Sequence, residues 1–197
     1  MILQSVKKIA LLALVLLSSC ASPMTATPRF EKEVVRVASL MAEEVDSRRS
    51  FDLFEMSRHI VGLSRYYDLD PLLVLAIIKV ESQFKPDARS YAGAVGLMQV
   101  MPIVMREVGD EISVRKKEEL YDPYKNLHLG IHYLTFLLQK YENDLQNALV
   151  AYNLGPSALD ARLSRKNYVP LTYYRKVMQF YKNFQEKVRW APEIDLT

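Results

Sequence analysis

Glu81 ends the run Leu72-Leu73-Val74-Leu75-Ala76-Ile77-Ile78-Lys79-Val80, and on a helix its neighbours one and two turns back are Ile77, Ile78 and Val74. A carboxyl that projects from an apolar stripe is hard to ionise. Desolvation favours the protonated form, and the negative end of the helix dipole pushes the same way. These conditions prepare a carboxylic acid to donate a proton near neutral pH. Lys85, one turn on, would oppose the shift if it paired with the carboxyl. A solvated glutamate at a helix end is the plain alternative, and for a single glutamate it is the commoner case.

Other chemical candidates are weaker. His128 and His132 lie four apart, the spacing at which two imidazoles on one helix face can share a metal. The residues between them are Leu129, Gly130 and Ile131, with no glutamate, so the pattern of the zinc hydrolases fails and a packing or surface pair is the expectation. His59 stands alone, and Arg115-Lys116-Lys117-Glu118-Glu119 reads as a solvated face. No metal and no cofactor is expected.

The elements that would position Glu81 are helical. Asp70-Pro71 is a helix start, a capping carboxylate followed by proline in the first turn, and it opens the apolar run as a central, buried helix. Apolar residues at three- and four-residue spacing predict helices over 30–49 and 50–67 before it. Pro86, Asp87, Ser90, Gly93 and Gly96 mark a turn region over 85–96, and a short helix is expected from about Leu97 to Val108. Asp122-Pro123 starts a helix to about Tyr141, with further helices over 144–152, 156–164 and 172–188. No alternating strand pattern and no internal repeat is visible, so the fold class is predominantly α.

The turn region holds an ordered set of motifs. Glu81-Ser82-Gln83-Phe84, then Ser90, then Gly93-Ala94-Val95-Gly96-Leu97-Met98-Gln99-Val100-Met101-Pro102 closely resembles the signature of the soluble lytic transglycosylase family, which shares the goose-type lysozyme fold. Asp122-Pro123 with Asn126, Gly130 and Tyr133, and Ala151-Tyr152-Asn153 with Gly155, extend the resemblance over about 70–174. It implies a single lysozyme-like helical domain in which Glu81 is the sole catalytic acid and base. Ser90 resembles the serine that hydrogen-bonds around that carboxyl and the bound sugar. Gln99 and Met101 resemble groove residues that meet the saccharide, Tyr152 the tyrosine beside the catalytic glutamate, and Asn153 its neighbour. The residues agree with this: an amide both donates to and accepts from sugar hydroxyls, Met and Tyr offer apolar surface to a ring face, and Gly93 and Gly96 leave room for a polymer to approach backbone. Taken singly, Met101 is more often core and the glycines serve as readily in turns.

The implied reaction is cleavage of the β-1,4 bond between N-acetylmuramic acid and N-acetylglucosamine without water, closing a 1,6-anhydro ring on the muramic acid. A lysozyme-like muramidase on the same fold is the alternative; it needs a placed water and a second carboxylate, for which Asp87, Asp110, Glu111 and Asp122 are near in sequence. A non-catalytic peptidoglycan-binding lipoprotein is the third reading, and it gives an apolar-embedded acid nothing to do. One departure stands out: where many relatives carry Glu-Thr ahead of Tyr-Val, this chain has Val169-Pro170-Leu171-Thr172-Tyr173-Tyr174, so a groove-lining glutamate is missing.

The chain of 197 residues has room for one compact domain, and half its residues are hydrophobic. Lys7-Lys8, the apolar run Ile9 to Leu17, and Leu17-Ser18-Ser19-Cys20 resemble a bacterial lipoprotein signal ending at the chain's one cysteine. Removal of Lys7 and Lys8 takes the basic residues from 26 to 24 against 23 acids, a net of +1, which excludes a general field for nucleic acid. The domain organisation expected is a signal peptide over 1–19, a lipid-anchored Cys20 with a tether over 20–29, helices over 30–69, a catalytic domain over 70–190 and a tail over 191–197. The expected partners are peptidoglycan glycan strands and, through lipidated Cys20, a membrane. That membrane is the outer one, with the domain facing the periplasm as a monomer.

Overall fold

The computed structural model describes residues 27–45 and 51–190. The expected signal peptide, Cys20, most of the tether and the tail over 191–197 lie outside the described residues. The chain divides at Glu31/Lys32, and the described residues from Lys32 onward form one compact unit. The shorter unit contributes to the description only the start of its first helix.

Eight α-helices account for the described fold: α1 (Pro28–Glu44), α2 (Leu53–Tyr66), α3 (Pro71–Glu81), α4 (Pro102–Val108), α5 (Pro123–Lys140), α6 (Leu145–Leu154), α7 (Pro156–Ser164) and α8 (Thr172–Trp190). Two 3₁₀ turns, Gly109–Ile112 and Lys117–Tyr121, link α4 to α5. No strand forms among the described residues; the one sheet-like feature is a pair of isolated bridges, Arg89 with Val95 and Val95 with Val100. The predominantly α expectation holds.

Local chemistry fixes the helix starts. The Asp52 carboxylate accepts from the Glu55 amide at 2.8 Å, Asp70 from Leu72 at 2.8 Å, Asp122 from Tyr124 and Lys125 at 2.9 Å each, and Asp144 from Asn147 at 3.0 Å. Pro71, Pro102, Pro123 and Pro156 open their helices, where a missing amide hydrogen costs nothing. No helix among the described residues is long and apolar enough to cross a membrane.

The α3 helix runs through the middle, with Leu73 to Ile78 all buried, and it packs most extensively against α8. Each Leu, Val and Ile side chain among them contributes about 1.5–3 kcal/mol on burial. The α2 and α5 helices also pack on each other, and α5 packs on α6. A half-buried bridge from Lys79 to Glu44, 2.6 Å, and one from Lys187 to Glu43, 2.7 Å, tie the end of α1 to α3 and α8. Burial raises the Glu44 pKa, but hydrogen bonds and charge from Lys79 and Lys187 outweigh it, leaving that carboxyl below its ordinary value.

The expected helix from Leu97 begins five residues later, at Pro102. Gln99 sits at φ +47°, a left-handed conformation that no helix tolerates, and the amide of Met98 is taken by the Asn126 side chain. Residues 97–101 are therefore a turn.

Candidate active site

Glu81 is the last residue of α3 and is half-buried. Its Oε1 accepts a 2.6 Å hydrogen bond from the hydroxyl of Tyr173, in the first turn of α8. Burial raises the Glu81 pKa to about 7, and the bond from Tyr173 restrains the rise. Lys85 is exposed and makes no contribution to that shift.

Tyr173 is buried, and its ring stacks on that of Tyr152, centroids 6.5 Å apart and planes 11° from parallel. The Tyr152 hydroxyl donates to the Met98 carbonyl at 2.9 Å. Burial, with the negative charge of Glu81 adding to it, holds both phenols well above their usual titration range. Both hydroxyls are therefore fixed donors at neutral pH, and Tyr173 can hold the Glu81 carboxyl without competing for its proton.

The loop between α3 and α4 is a folded hairpin. Gln83 and Phe84 take left-handed backbone angles, φ +52° and +62°, and the Phe84 side chain is buried as the anchor. Val95 and Val100 exchange amide-to-carbonyl bonds of 3.2 and 3.0 Å, and the Gly96 amide donates to Ala88 at 2.9 Å. Asn126, fully buried on α5, locks the hairpin to the core: its Oδ1 accepts from the Met98 amide at 2.9 Å, while Nδ2 donates to the carbonyls of Val95 at 2.8 Å and Leu120 at 2.9 Å.

The structure gives several residues singled out from sequence a different neighbour than expected. Gly96 is buried at φ +81°, and a side chain there would run into the Asn126 amide. The Ser90 hydroxyl accepts from the Ala94 amide at 2.9 Å and shapes the hairpin, while Glu81 takes its hydrogen bond from Tyr173. The Gln99 side-chain amide nitrogen donates to the carbonyls of Ala88 at 3.1 Å and Gly96 at 3.0 Å, which leaves its Oε1 as the acceptor for a ligand. Met101 is half-buried just before α4, and Asn153 is exposed near the end of α6. Tyr152 stacks on Tyr173, the residue whose hydroxyl holds Glu81.

Two residues escaped the sequence. Tyr173 sits in the stretch that departs from the family pattern, and nothing local marks a tyrosine 92 residues from Glu81 as its partner. Asn126 belongs to a motif but bears no outward sign of three buried bonds.

Among the described residues no group of three His, Cys, Asp or Glu side chains could hold a metal ion. His128 Nε2 lies 3.0 Å from the Tyr67 hydroxyl, and His132 Nε2 lies 3.1 Å from a Glu111 carboxylate oxygen.

The chain is similar to known proteins in sequence and in fold. Membrane-bound lytic murein transglycosylase C of Glaesserella parasuis is 35% identical over 130 residues, 59% of this chain and 33% of that protein. The protein of the same name from Actinobacillus succinogenes is 39% identical over 110 residues, 49% of this chain and 30% of that protein. The chain thus spans about a third of the length of the curated relatives it matches. Among solved structures, the lytic transglycosylase Slt of Pseudomonas aeruginosa, an inactive mutant, superposes with a TM-score of 0.59 at 24% identity, covering 70% of this chain and 25% of that one. The 70 kDa soluble lytic transglycosylase of Escherichia coli gives 0.57 at 18% identity, covering 84% and 31%. These likenesses establish the lysozyme-like helical fold. The family description "Transglycosylase SLT domain" matches residues 60–170, more than half of the sequence, and the chain belongs to that family.

Proposed function

We propose that this chain is a peptidoglycan lytic transglycosylase, cleaving the N-acetylmuramic acid to N-acetylglucosamine bond with formation of a 1,6-anhydro end. The observation that supports it best is the setting of Glu81 at the end of the buried α3, where burial raises its pKa to about 7 and the Tyr173 hydroxyl holds Oε1 at 2.6 Å. Hydrolysis by the usual two-carboxyl routes needs a partner within roughly 5–9.5 Å. One carboxyl poised between its two protonation states suits a reaction in which it acts first as acid and then as base.

Protonated Glu81 donates to the glycosidic oxygen as the bond from the muramic C1 breaks, and the aglycone leaves as an alcohol. The carboxylate then takes the proton of the muramic C6 hydroxyl, whose oxygen bonds to C1. Glu81 ends protonated as it began, and no water is consumed. Tyr173 engages Oε1, which leaves Oε2 to carry the travelling proton. Gln99 through its free Oε1, Met101, Tyr152 and Asn153 line the glycan path in this reading, with Ser90 holding the hairpin edge. Relatives named membrane-bound support an envelope location, with Cys20 as the lipid anchor in the outer membrane and the domain facing the periplasm.

Digestion of purified sacculi followed by mass spectrometry tests the proposal. Muropeptides one water lighter than their reducing counterparts are expected. Reducing ends would favour the muramidase, and no release at all would overturn both.

A further inference from the structure

Two cavities of about 490 and 380 Å³ adjoin along α5, sharing Leu63, Ile112 and His128 as walls, and Glu81 lines neither. Asn126 and Gly130 point into the catalytic hairpin, Gly130 lying against Met98. His128 and His132 leave α5 about 200° and about 240° round the helix from Asn126, away from the hairpin. The larger cavity has Tyr66 and Tyr67 at one end, edge to face with centroids 4.8 Å apart, and Tyr66 is 79% exposed. The smaller has His59 against Tyr124, ring centroids 4.5 Å apart.

The polar lining is nearly uncharged. His128 meets the Tyr67 hydroxyl, and burial, with His132 and His59 adding to it, depresses its pKa. His132 places both ring nitrogens in the interior without a hydrogen bond to protein, because the nearby Glu111 carboxylate is close but out of line. The ammonium of Lys125 is spent on Glu119. An anionic ligand finds no unpaired ammonium here. A ring with a hydrophobic face and many hydroxyls finds an aromatic platform at Tyr66 and Tyr67 and an exposed carboxylate acceptor at Glu111. Pockets of this size hold one or two such rings.

We infer that this groove is a second saccharide site, binding the N-acetylated sugar rings of a glycan segment on the face of α5 away from the hairpin that Asn126 anchors. That the segment comes from a glycan strand rests on the proposed function. The site would let the protein hold one stretch of polymer while it cuts another.

All three histidines of the chain line the paired cavities, and none lies at Glu81, so their imidazole resonances report on this groove alone. The experiment is titration of the full chain carrying Glu81→Gln with tetra-N-acetylchitotetraose, following the histidine ring signals and, for the catalytic groove, the Met101 methyl. The expected result is a saturable shift of the His128 and His132 signals whose apparent Kd weakens about tenfold in Tyr66→Ala, while the Met101 titration is unchanged. Tyr66 is exposed, so its removal leaves the core intact. Imidazole signals that stay still at saturating sugar overturn the second site, whatever the Met101 methyl does. Imidazole shifts of undiminished affinity in Tyr66→Ala overturn it as well. Failure of the proposed function registers separately, as sacculi left undigested.

Discussion

Tyr173, from the start of the last helix, donates a 2.6 Å hydrogen bond to Oε1 of Glu81, at the end of the third. The bond stabilises the carboxylate, so it holds the Glu81 pKa below what burial alone would give. Its removal in Tyr173→Phe raises that pKa further. A general acid is active in its protonated form, so the parent loses kcat/KM as pH rises through about 7. In Tyr173→Phe this alkaline limb is expected at higher pH, with kcat reduced by up to roughly 100-fold as the carboxyl loses its orientation. A pH profile of sacculus digestion checks both.

Glu81 also weakens the fold. Its pKa is about 7 in the folded chain against an ordinary 4.5, so ionising it costs stability. The sign follows from proton binding: the folded state holds the proton more tightly, so there is no cost below pH 4.5, a growing one between 4.5 and 7, and the full cost above 7. A shift of that size is worth on the order of 3 kcal/mol. Glu81→Gln keeps an acceptor for Tyr173 and removes the charge. Its Tm should exceed the parent's by several degrees above pH 7 and match it below pH 4.5, as read by thermal melts across pH.

Asn126 makes three buried bonds that hold the catalytic hairpin to α5. Asn126→Ala leaves the Met98 amide and the Leu120 carbonyl buried without that partner and the Val95 carbonyl with only its bond from Val100, an expected loss of roughly 2 kcal/mol or more by urea denaturation. The alkaline limb of whatever activity survives should stay where it is, because the Glu81 environment is unchanged.

A Cβ on Gly130 would lie 2.5 Å from Sδ and 2.6 Å from Cβ of Met98. Gly130→Ala gains up to about 1 kcal/mol in helix propensity and loses about 1–3 kcal/mol to overpacking, so net destabilisation is expected. The clash also displaces the Met98 carbonyl that accepts from Tyr152. Met98→Ala should recover part of the loss in the double variant, a coupling that a double-mutant cycle measures.

What the sequence discloses is local chemistry. Asp70-Pro71 announces the start of α3, the apolar run announces its burial, and together they account for the raised pKa of Glu81. What it withholds depends on distant packing. The Leu97–Met101 segment has helix-forming composition, yet Asn126 claims the Met98 amide from 28 residues away and the segment becomes a turn. Gly96 lies against the Asn126 side chain, a neighbour likewise remote in sequence. Tyr173 lies in the very stretch that lacks the groove-lining glutamate, and its partner is 92 residues away. His128 and His132 read as a packing pair, and the groove they line forms only when α2 and the 3₁₀ turn at Glu111 are brought against α5.

In the proposed reaction Glu81 acts alone, and the muramic acid's own hydroxyl, not water, closes the ring. Digestion of sacculi in water enriched with ¹⁸O tests this most directly. Muramic termini that are anhydro and unlabelled are expected, with Glu81→Gln releasing none. Label at the muramic C1 terminus, or release by Glu81→Gln at the parental rate, would contradict it.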